Sequence, residues 1–386
     1  MKTLIELYDE RPIENVLGTE VFHPEETVLL CPPDVASNSA LKKAMEDYFR
    51  HRECPVKLTF VPVSMLDAVK IGKQLSRILE TREDCAIDIS GGTDAALFAA
   101  GTVSGETPVY TYSRKKNAFF EIMNAPFARG LPCTVRLDAE SCFLMAGGTL
   151  LQGRGDNRAL KAMLPEIDRL FSVYARYRRV WNRQISYIQR ISSSEPGVLG
   201  AGGALTVKAD NRAVTADGGL FRALAEAGLI RDFDMTDDAL SFSFPSETVR
   251  FWLRDVGSVL ELQVYRACLA ADCFDDVVLS AVVNWEGGRD QRSGVTNEID
   301  VMAVRGIQPV FISCKTCEIR TEALNELAIL RDRFGGKGSR AIIVTSAAAT
   351  RSRTPMRRRA AELEIEVIEW GDLQLDRLVQ RLGMRK

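Results

Sequence analysis

The chain has 386 residues, 46% of them hydrophobic, which is enough for two or three domains with packed cores and excludes full-length disorder. Its 50 lysines and arginines nearly balance 52 aspartates and glutamates, so the net charge of -2 excludes a global attraction to nucleic acid or membranes. Nine cysteines, an odd number scattered among apolar neighbours, indicate buried thiols in a reducing compartment. Without a spanning segment or a secretion signal, we expect a cytoplasmic protein with no membrane partner.

Histidine is scarce, since His23 and His51 are the only two in the chain. Serine triads, three-histidine metal centres and histidine-dependent ribonuclease chemistry are therefore excluded. Carboxylates, lysine and metal-bound water remain as the available acid–base groups.

Short apolar runs alternate with helical patterns in residues 1–144, which predicts a doubly wound, mostly parallel sheet. The predicted strands are Thr3–Leu7, Thr27–Cys31, Lys57–Val61, Cys85–Ile89 and Pro108–Tyr112, and the predicted helices are Ser39–Tyr48, Ser64–Leu79 and Thr93–Gly101. A ligand crevice is expected where loops leave the carboxyl ends of the strands. Two such loops stand out, Tyr8–Pro12 and Ser90–Thr93.

The second of these loops, Ser90-Gly91-Gly92-Thr93, joins a strand to a helix. Two glycines permit a tight turn, and the first amides of the helix favour a phosphate group. The loop lacks the spaced glycines of the dinucleotide fingerprint and the lysine of a P-loop, which disfavours NAD and ATP. Taken alone, a Gly-Gly turn is also compatible with a plain connection between two elements.

Residues 145–245 are predicted to form a helical, winged-helix-like connector. A long helix, Pro165–Ile191, mixes aromatics with arginines; this mixture is compatible with nucleotide stacking, but also with a packed aromatic stripe beside a solvated face. A helical unit at Gly219–Ala227 and a strand at Leu240–Phe244 complete the pattern.

Residues 246–386 are predicted to follow the αβββαβ order of restriction-endonuclease-like folds. The helices are Ser246–Leu269, Thr321–Phe334 and an arginine-rich segment after the fourth strand; the strands are Val277–Trp285, Ile299–Val304, Pro309–Cys314, Ala341–Thr345 and Glu366–Glu369. Between Arg305 and Arg359 there are twelve lysines and arginines against four acids, a local excess suited to a phosphate backbone.

Asp300 and Lys315 lie on adjacent predicted strands of this region. A carboxylate that holds Mg²⁺ or Mn²⁺ and a lysine that orients water and offsets phosphate charge are the groups that metal-dependent phosphodiester cleavage needs. The backbone carbonyl of Cys314 is a candidate third metal partner. A solvated hairpin with an incidental charged pair is the alternative interpretation.

Two further acids are candidates for the same site. Glu261 lies among apolar neighbours in its helix, where an unpaired carboxylate is costly to bury, so we expect it at the site unless it is an edge residue of an amphipathic helix. Glu298 has the same strand parity as Asp300 and either points into the site or faces solvent.

These residues resemble the PD-(D/E)XK nuclease superfamily, with Asp300 in the metal-binding position and Lys315 in the lysine position. The acid that the superfamily has two residues before the lysine is here Ser313. The phrases GSVLELQVY, NEIDV, FISCKT and RFGG look more specifically like the CRISPR-associated nucleases that join an N-terminal CARF sensor to such a domain.

That resemblance implies a homodimer whose sensor domains bind a cyclic oligoadenylate, the tetra-adenylate being the expected ring, and thereby activate cleavage of DNA or RNA in type III CRISPR antiviral defence. The residues expected to line the ligand are Ser90, Gly91, Gly92, Thr93, Asp9, Glu10 and Arg11. Two other hypotheses remain: a ligand-responsive DNA-binding regulator whose nuclease-like domain is inactive because of Ser313, and a nuclease that needs no cyclic nucleotide.

Overall fold

The first 144 residues contain a six-stranded sheet in the order β3-β2-β1-β4-β5-β6, in which only β6 is antiparallel to its neighbour. A computed structural model describes residues 1–151, 157–209, 212–287, 294–336, 338–347 and 354–383. The strands are β1 (Thr3–Leu7), β2 (Glu26–Cys31), β3 (Lys57–Pro62), β4 (Cys85–Asp88), β5 (Val109–Ser113) and β6 (Ala118–Met123). The helices are α1 (Leu17–Phe22), α2 (Pro33–Ser37), α3 (Ser39–His51), α4 (Ala68–Thr81), α5 (Asp94–Val103) and α6 (Ala139–Leu144).

The strand order explains where a ligand crevice lies. Every residue of β1 is buried, as expected for a central strand covered on both faces. The chain leaves β1 towards β2 on one side and later returns to β4 on the other, so the topological switch point lies between β1 and β4. The two loops singled out from the sequence follow these two strands.

The next part of the chain is built around one long helix. Its elements are β7 (Thr149–Leu151), α7 (Asn157–Ala162), α8 (Leu164–Ile191), β8 (Gly200–Ala204), β9 (Thr206–Ala209), β10 (Arg212–Thr215), α9 (Gly218–Glu226), β11 (Arg231–Met235) and β12 (Ala239–Ser243). Strands β11, β12 and β8 form an antiparallel sheet, and β9 and β10 form a hairpin. One helix beside short antiparallel strands is the winged-helix-like pattern that we expected.

The C-terminal part contains a second six-stranded sheet in the order β17-β16-β15-β14-β13-β7. Its elements are α10 (Glu247–Arg254), α11 (Ser258–Ala270), β13 (Asp276–Asn284), β14 (Thr296–Arg305), β15 (Gln308–Lys315), α12 (Thr321–Phe334), β16 (Arg340–Thr345), α13 (Thr354–Glu362), β17 (Ile365–Glu369) and α14 (Leu375–Gly383). Strands β13, β14 and β15 form an antiparallel meander, and β16 and β17 add in parallel. This agrees with the predicted fold class.

Three details differ from the sequence prediction. The single helix expected over Ser246–Leu269 is two helices, because Asp255 is extended and its carboxylate accepts hydrogen bonds from the amide and hydroxyl of Ser258, both at 2.8 Å. Strand β6 and helix α14 were not predicted, and neither were the shorter elements α1, α2, α6, α7 and β7 to β11. The edge strand β7 lies in the predicted connector but pairs with β13, so the domain boundaries at 144 and 245 stay a prediction.

Two hydrophobic cores cover the faces of the C-terminal sheet. The first joins α8 and α11 to the sheet residues Val301, Ile312 and Cys314. The second continues without a break from the N-terminal sheet through Phe143 of α6 to Phe311 of β15. The N-terminal and C-terminal sheets are therefore packed into one body. No helix among the described residues is both long and apolar enough to cross a bilayer.

Candidate functional site

Asp300 lies on β14 and contacts three successive residues of β15 through one oxygen, Oδ2. The backbone amide of Cys314 donates to it at 2.5 Å, and the hydroxyl of Ser313 donates at 3.1 Å. The ammonium of Lys315 lies 3.5 Å from the same oxygen. Within the described part of the chain Oδ1 has no hydrogen bond, so this oxygen is available to a cation or a water molecule. The structure thus brings Asp300 and Lys315 together.

The sheet is irregular at this point. Ser280 of β13 stands opposite Asp300 but has a φ of 52°, and this pair is missing from the ladder that joins the two strands. Ile299 and Val301, two residues apart, pack into different cores. The regular alternation of side chains therefore breaks at Asp300. Such irregularities in a strand redirect side chains and are frequent next to active sites.

Glu261 approaches the same place from the first turn of α11. Its carboxylate folds back over the start of the helix, since a Cβ atom added to Gly257 would lie 2.7 Å from Oε1 of Glu261. The positive end of the helix dipole favours a carboxylate in this position. Glu261 and Ser280 also line a cavity of about 730 Å³ between α10, α11 and β13.

The thiol of Cys314 lies within the electrostatic influence of both carboxylates. Burial raises its pKa well above the ordinary value, and the nearby charges of Asp300 and Glu261 raise the pKa further. The thiol stays protonated and packs in the core beside α11, which leaves the backbone of Cys314 to face Asp300. Its carbonyl as a metal ligand stays a prediction.

Glu298 is not brought into this group. It is exposed on β14, and no hydrogen bond or ion pair joins it to Asp300 or Lys315 in the described part of the chain. The parity argument that placed it beside Asp300 fails because the alternation breaks between the two residues.

The donor set fits a hard divalent cation. Asp300 and Glu261 offer carboxylate oxygens, and Mg²⁺ commonly binds one or two carboxylates while it keeps several waters and takes phosphate oxygens of the substrate. Among the described residues no group of three or more His, Cys, Asp or Glu side chains is arranged to hold a metal.

The first sensor loop is held by an ion pair. The guanidinium of Arg11 donates from two nitrogens to the two carboxylate oxygens of Asp9, both at 2.7 Å. Burial raises the pKa of Asp9, but hydrogen bonds from Arg11 and from the amide of Gly92 lower the pKa more, so it lies below the ordinary value. Glu10 is exposed beside this pair.

The second sensor loop packs directly against the first. A Cβ on Gly91 would lie 2.8 Å from the Cβ of Asp9, so only glycine allows this approach. The hydroxyl of Ser90 accepts a hydrogen bond from the amide of Tyr112 at 2.7 Å, and Thr93 caps α5 by accepting from the amide of Ala96 at 3.3 Å. All seven residues predicted to line the ligand therefore lie at or beside one crevice.

Glu14 and Arg114, which the sequence analysis did not identify, connect this crevice to the C-terminal part. Arg114 donates to both carboxylate oxygens of the buried Glu14, at 2.9 and 2.6 Å, and Arg11 lies 3.5 Å from the same carboxylate. On the far side, a Cβ on Gly336 would lie 3.9 Å from Arg11, and one on Gly338 would lie 3.4 Å from Arg114. We call Asp9, Arg11, Glu14 and Arg114 the ion-pair relay.

A buried acid pair lies beneath the crevice and was also missed. Glu6 and Asp88 are neighbours on β1 and β4, and both are 1% exposed. Asp88 accepts from the amide of Ser90 at 2.7 Å through Oδ1, while its Oδ2 lies with Oε1 of Glu6 and the hydroxyl of Tyr110 around Gly18. Burial raises the pKa of Asp88 to about 7 and that of Glu6 well above its ordinary value.

Comparison with known proteins agrees with this arrangement. Residues 246–385 match the family model of the Card1-like endonuclease domain. Protein VC1899 from Vibrio cholerae has the same fold, with a TM-score of 0.73 and 17% identity over 99% of this chain and 97% of that chain. Can2 from Sulfobacillus thermosulfidooxidans, solved in complex with cyclic tetra-adenylate, has a TM-score of 0.70 and 16% identity over 98% of both chains.

The predicted fold, a Rossmann-like N-terminal domain of the CARF type joined to a C-terminal nuclease-like domain, is thereby confirmed. At these identities the solved structures show the fold and not the activity. A search of curated proteins finds no match to this sequence.

The buried acid pair makes the stability of the protein depend on pH. The pKa of Asp88 is about 7 in the folded protein, whereas an aspartate in an unfolded chain titrates near pH ~4. Between these values the folded state keeps a proton that the unfolded state has lost, so stability falls as pH rises through the window. We expect Asp88→Asn, which keeps the acceptor for Ser90 but cannot ionise, to reduce this fall.

The measurement is the Tm by differential scanning fluorimetry from about pH 4 to about pH 8, a range that includes the window between the two pKa values. Asp237→Asn, which changes an exposed aspartate, is the matched control and should follow the wild type. Parallel pH profiles for Asp88→Asn and wild type would contradict the protonated pair.

Proposed function

We propose that this protein is a metal-dependent nuclease that a cyclic oligoadenylate activates. Residues 1–144 form the sensor, residues 145–245 the connector and residues 246–386 the nuclease domain. The observation that carries the proposal is the pairing of Asp300 with Lys315 at the end of β15, within a segment that matches an endonuclease family; the charge of Glu261 also acts on the neighbouring Cys314.

Each residue of this group has a distinct role in the proposed reaction. Asp300 and Glu261 hold Mg²⁺ or Mn²⁺, which when bound stabilises charge on the phosphate and supplies a more acidic water. Lys315 offsets the negative charge that builds on the phosphate during attack, and it orients the water. Ser313 supplies no charge, but its hydroxyl holds Asp300 in place.

The sensor crevice suits a cyclic oligoadenylate for two reasons. It lies at the topological switch point, and the amides of the Gly-Gly loop and of the start of α5 point towards an anion. Can2, which shares the fold, was solved with cyclic tetra-adenylate, and we therefore propose the same ring for this chain. Because Asp9 packs against Gly91 and forms an ion pair with Arg11, an arriving phosphate would compete with this carboxylate for Arg11.

Competition between the ligand and Asp9 for Arg11 explains how binding in the crevice affects the nuclease domain. In the relay, Asp9 and Glu14 neutralise Arg11 and Arg114, which lie against Gly336 and Gly338 in the loop before β16. Strand β16 pairs with β15, which carries Lys315. A phosphate that attracts Arg11 away from Asp9 changes the contact with this loop. Activation therefore follows a path of direct contacts.

An exposed apolar face on the sensor supports a homodimer. Leu66, Val69 and Phe98 are 85%, 67% and 67% exposed on and around α4 and α5, an unusual cluster for a surface that faces water. The face adjoins the crevice, since the Thr93 hydroxyl donates to the carbonyl of Met65. A ring of identical nucleotides is symmetric, so two copies of the sensor can present the same loops to it. We propose a second copy of this chain as the occupant.

The replacement of the usual acid by Ser313 favours a second candidate. In this alternative, the protein is a cyclic-nucleotide-responsive DNA-binding regulator whose nuclease-like domain is inactive. The connector with α9 and its strands would then bind DNA.

A cleavage assay separates the two functions. We expect wild-type protein to cleave labelled DNA or RNA with Mg²⁺ or Mn²⁺ when cyclic tetra-adenylate is present, and EDTA to abolish cleavage. Lys315→Ala should lower the rate by about 10²- to 10³-fold, the usual effect of removing a group that stabilises the transition state. Lys116→Ala, an exposed lysine in the sensor, is the control. Binding without cleavage under any metal would favour the regulator.

The relay is tested through the activator. Asp9→Asn removes the charge that competes with the ligand for Arg11, and we expect the half-activating concentration of cyclic tetra-adenylate to fall about two- to fivefold, the range of one partly exposed ion pair. Arg11→Gln should raise this concentration. A rise with Asp9→Asn would instead indicate that Asp9 binds the ligand directly.

The homodimer is tested by a charge in its apolar face. We expect Phe98→Glu to convert the dimer to a monomer in multi-angle light scattering and to abolish activation, because burying an unpaired carboxylate at an interface is unfavourable. Ile122→Glu, at a 49% exposed residue of β6, is the matched control and should leave the mass unchanged. A monomeric wild type would contradict the proposal.

A further inference from the structure

Helix α8 carries a row of arginines on its outer surface. Arg176, Arg179, Arg183 and Arg190 are all exposed. At ~100° per residue they fall within an arc of roughly 60°, and at ~1.5 Å per residue they extend over about 21 Å of the helix axis. We call these four residues the arginine row.

The row has no acidic neighbours on its own helix. The acids of α8, Glu166 and Asp168, lie near its start, and no Asp or Glu occurs from Arg169 to Ile191. In the part of the chain that the structure describes, none of the four arginines forms an ion pair with a carboxylate. The guanidinium of Arg176 lies over the ring of Tyr177, with 5.4 Å between the guanidinium carbon and the ring centroid. Four cations on one surface without compensation attract a polyanion.

Three aromatic residues of the same helix are buried in the protein interior. Tyr174, Trp181 and Tyr187 are buried in the core shared with α11 and the C-terminal sheet. Base stacking on these three rings is therefore excluded, and the surface that remains offers mainly charge. Charge without aromatic platforms recognises the phosphate backbone and not the bases.

The position of α8 relates the row to the candidate active site. The side-chain amide of Asn182 lies 3.5 Å from the hydroxyl of Thr316, the residue that follows Lys315. One turn earlier, Arg178 donates to the carbonyl of Ser346 at 3.4 Å, at the end of β16. The middle of α8 therefore crosses the carboxyl ends of β15 and β16, and the row continues on both sides of the strand end that bears Lys315.

We propose that the arginine row binds the phosphate backbone of the nucleic acid substrate and directs it to Asp300 and Lys315. The proposal rests on the proposed nuclease function and adds the surface that holds the substrate. With ~3.4 Å per phosphate along one strand of a duplex, about 21 Å of helix corresponds to roughly six phosphates. Because all contacts are to phosphates, the row does not distinguish DNA from RNA.

Binding measurements in a Lys315→Ala background test the row without cleavage. The variant is Arg179→Gln with Arg183→Gln, and the probes are labelled single-stranded DNA and RNA of one sequence, titrated over a range of salt. Each phosphate contact on a single strand contributes ~0.7 to the slope of log K against log salt, so we expect the slope to fall by about 1.4 for both probes. An unchanged slope would overturn the proposal.

The matched control removes two positive charges elsewhere on the connector. Lys208→Gln with Arg222→Gln changes exposed residues of β9 and α9 and should leave the slope unchanged. An equal loss in this control would place the backbone contact on the winged-helix-like module and would also overturn the proposal.

Cleavage kinetics give a second readout. With Lys315 intact, the arginine variant should raise KM for the oligonucleotide, whereas a loss confined to kcat would contradict a role in substrate binding. If the wild type cleaves nothing, the nuclease function fails, but the salt slopes still decide whether the row binds nucleic acid.

Discussion

The arrangement of the candidate active site depends on one carboxylate oxygen, Oδ2 of Asp300, which holds the end of β15. It accepts from Ser313 and from the Cys314 amide and faces Lys315, so three successive residues are fixed relative to β14. The ladder between β13 and β14 is interrupted opposite this residue, at Ser280. The missing pair frees Asp300 from regular alternation, and its side chain can therefore serve two strands while one oxygen stays available.

The N-terminal and C-terminal sheets share a continuous hydrophobic core, and this limits how the proposed activation passes between them. Phe143 of α6 and Phe311 of β15 belong to the same buried cluster as Leu4 and Leu29 of the sensor sheet. A close-packed interior changes between discrete arrangements more readily than it deforms continuously. The ion-pair relay lies at the edge of this core, where Arg11 and Arg114 meet the loop before β16. A change of charge there is therefore well placed to select one arrangement over another.

The local pattern of hydrophobic and turn residues was sufficient to predict the fold and part of the candidate site. Period and turn signals predicted most strands, the helix Thr321–Phe334 and the spacing of Asp300 and Lys315. The break at Asp255 was missed because a side-chain cap, and not a change in hydrophobic period, ends α10. Glu14 and Arg114 are 100 residues apart in the sequence, so no local signal pairs them. Glu298 was misplaced because alternation assumes a regular ladder.

Because Ser313 stands where an acid is usual, the second carboxylate of the candidate site comes from a helix and not from β15. An acid on β15 would be fixed by the same ladder that fixes Lys315, whereas the second carboxylate here, Glu261, comes from α11. That helix packs against α8, where Arg266 lies 3.2 Å from Asp168, and against the turn before α14, where Gln263 donates to the carbonyl of Leu373 at 3.0 Å. Helix packing therefore positions Glu261, whereas neighbouring strands position Asp300 and Lys315. In this chain the proposed metal site therefore joins a pair of strands to a helix that packs against α8, the helix that carries the arginine row.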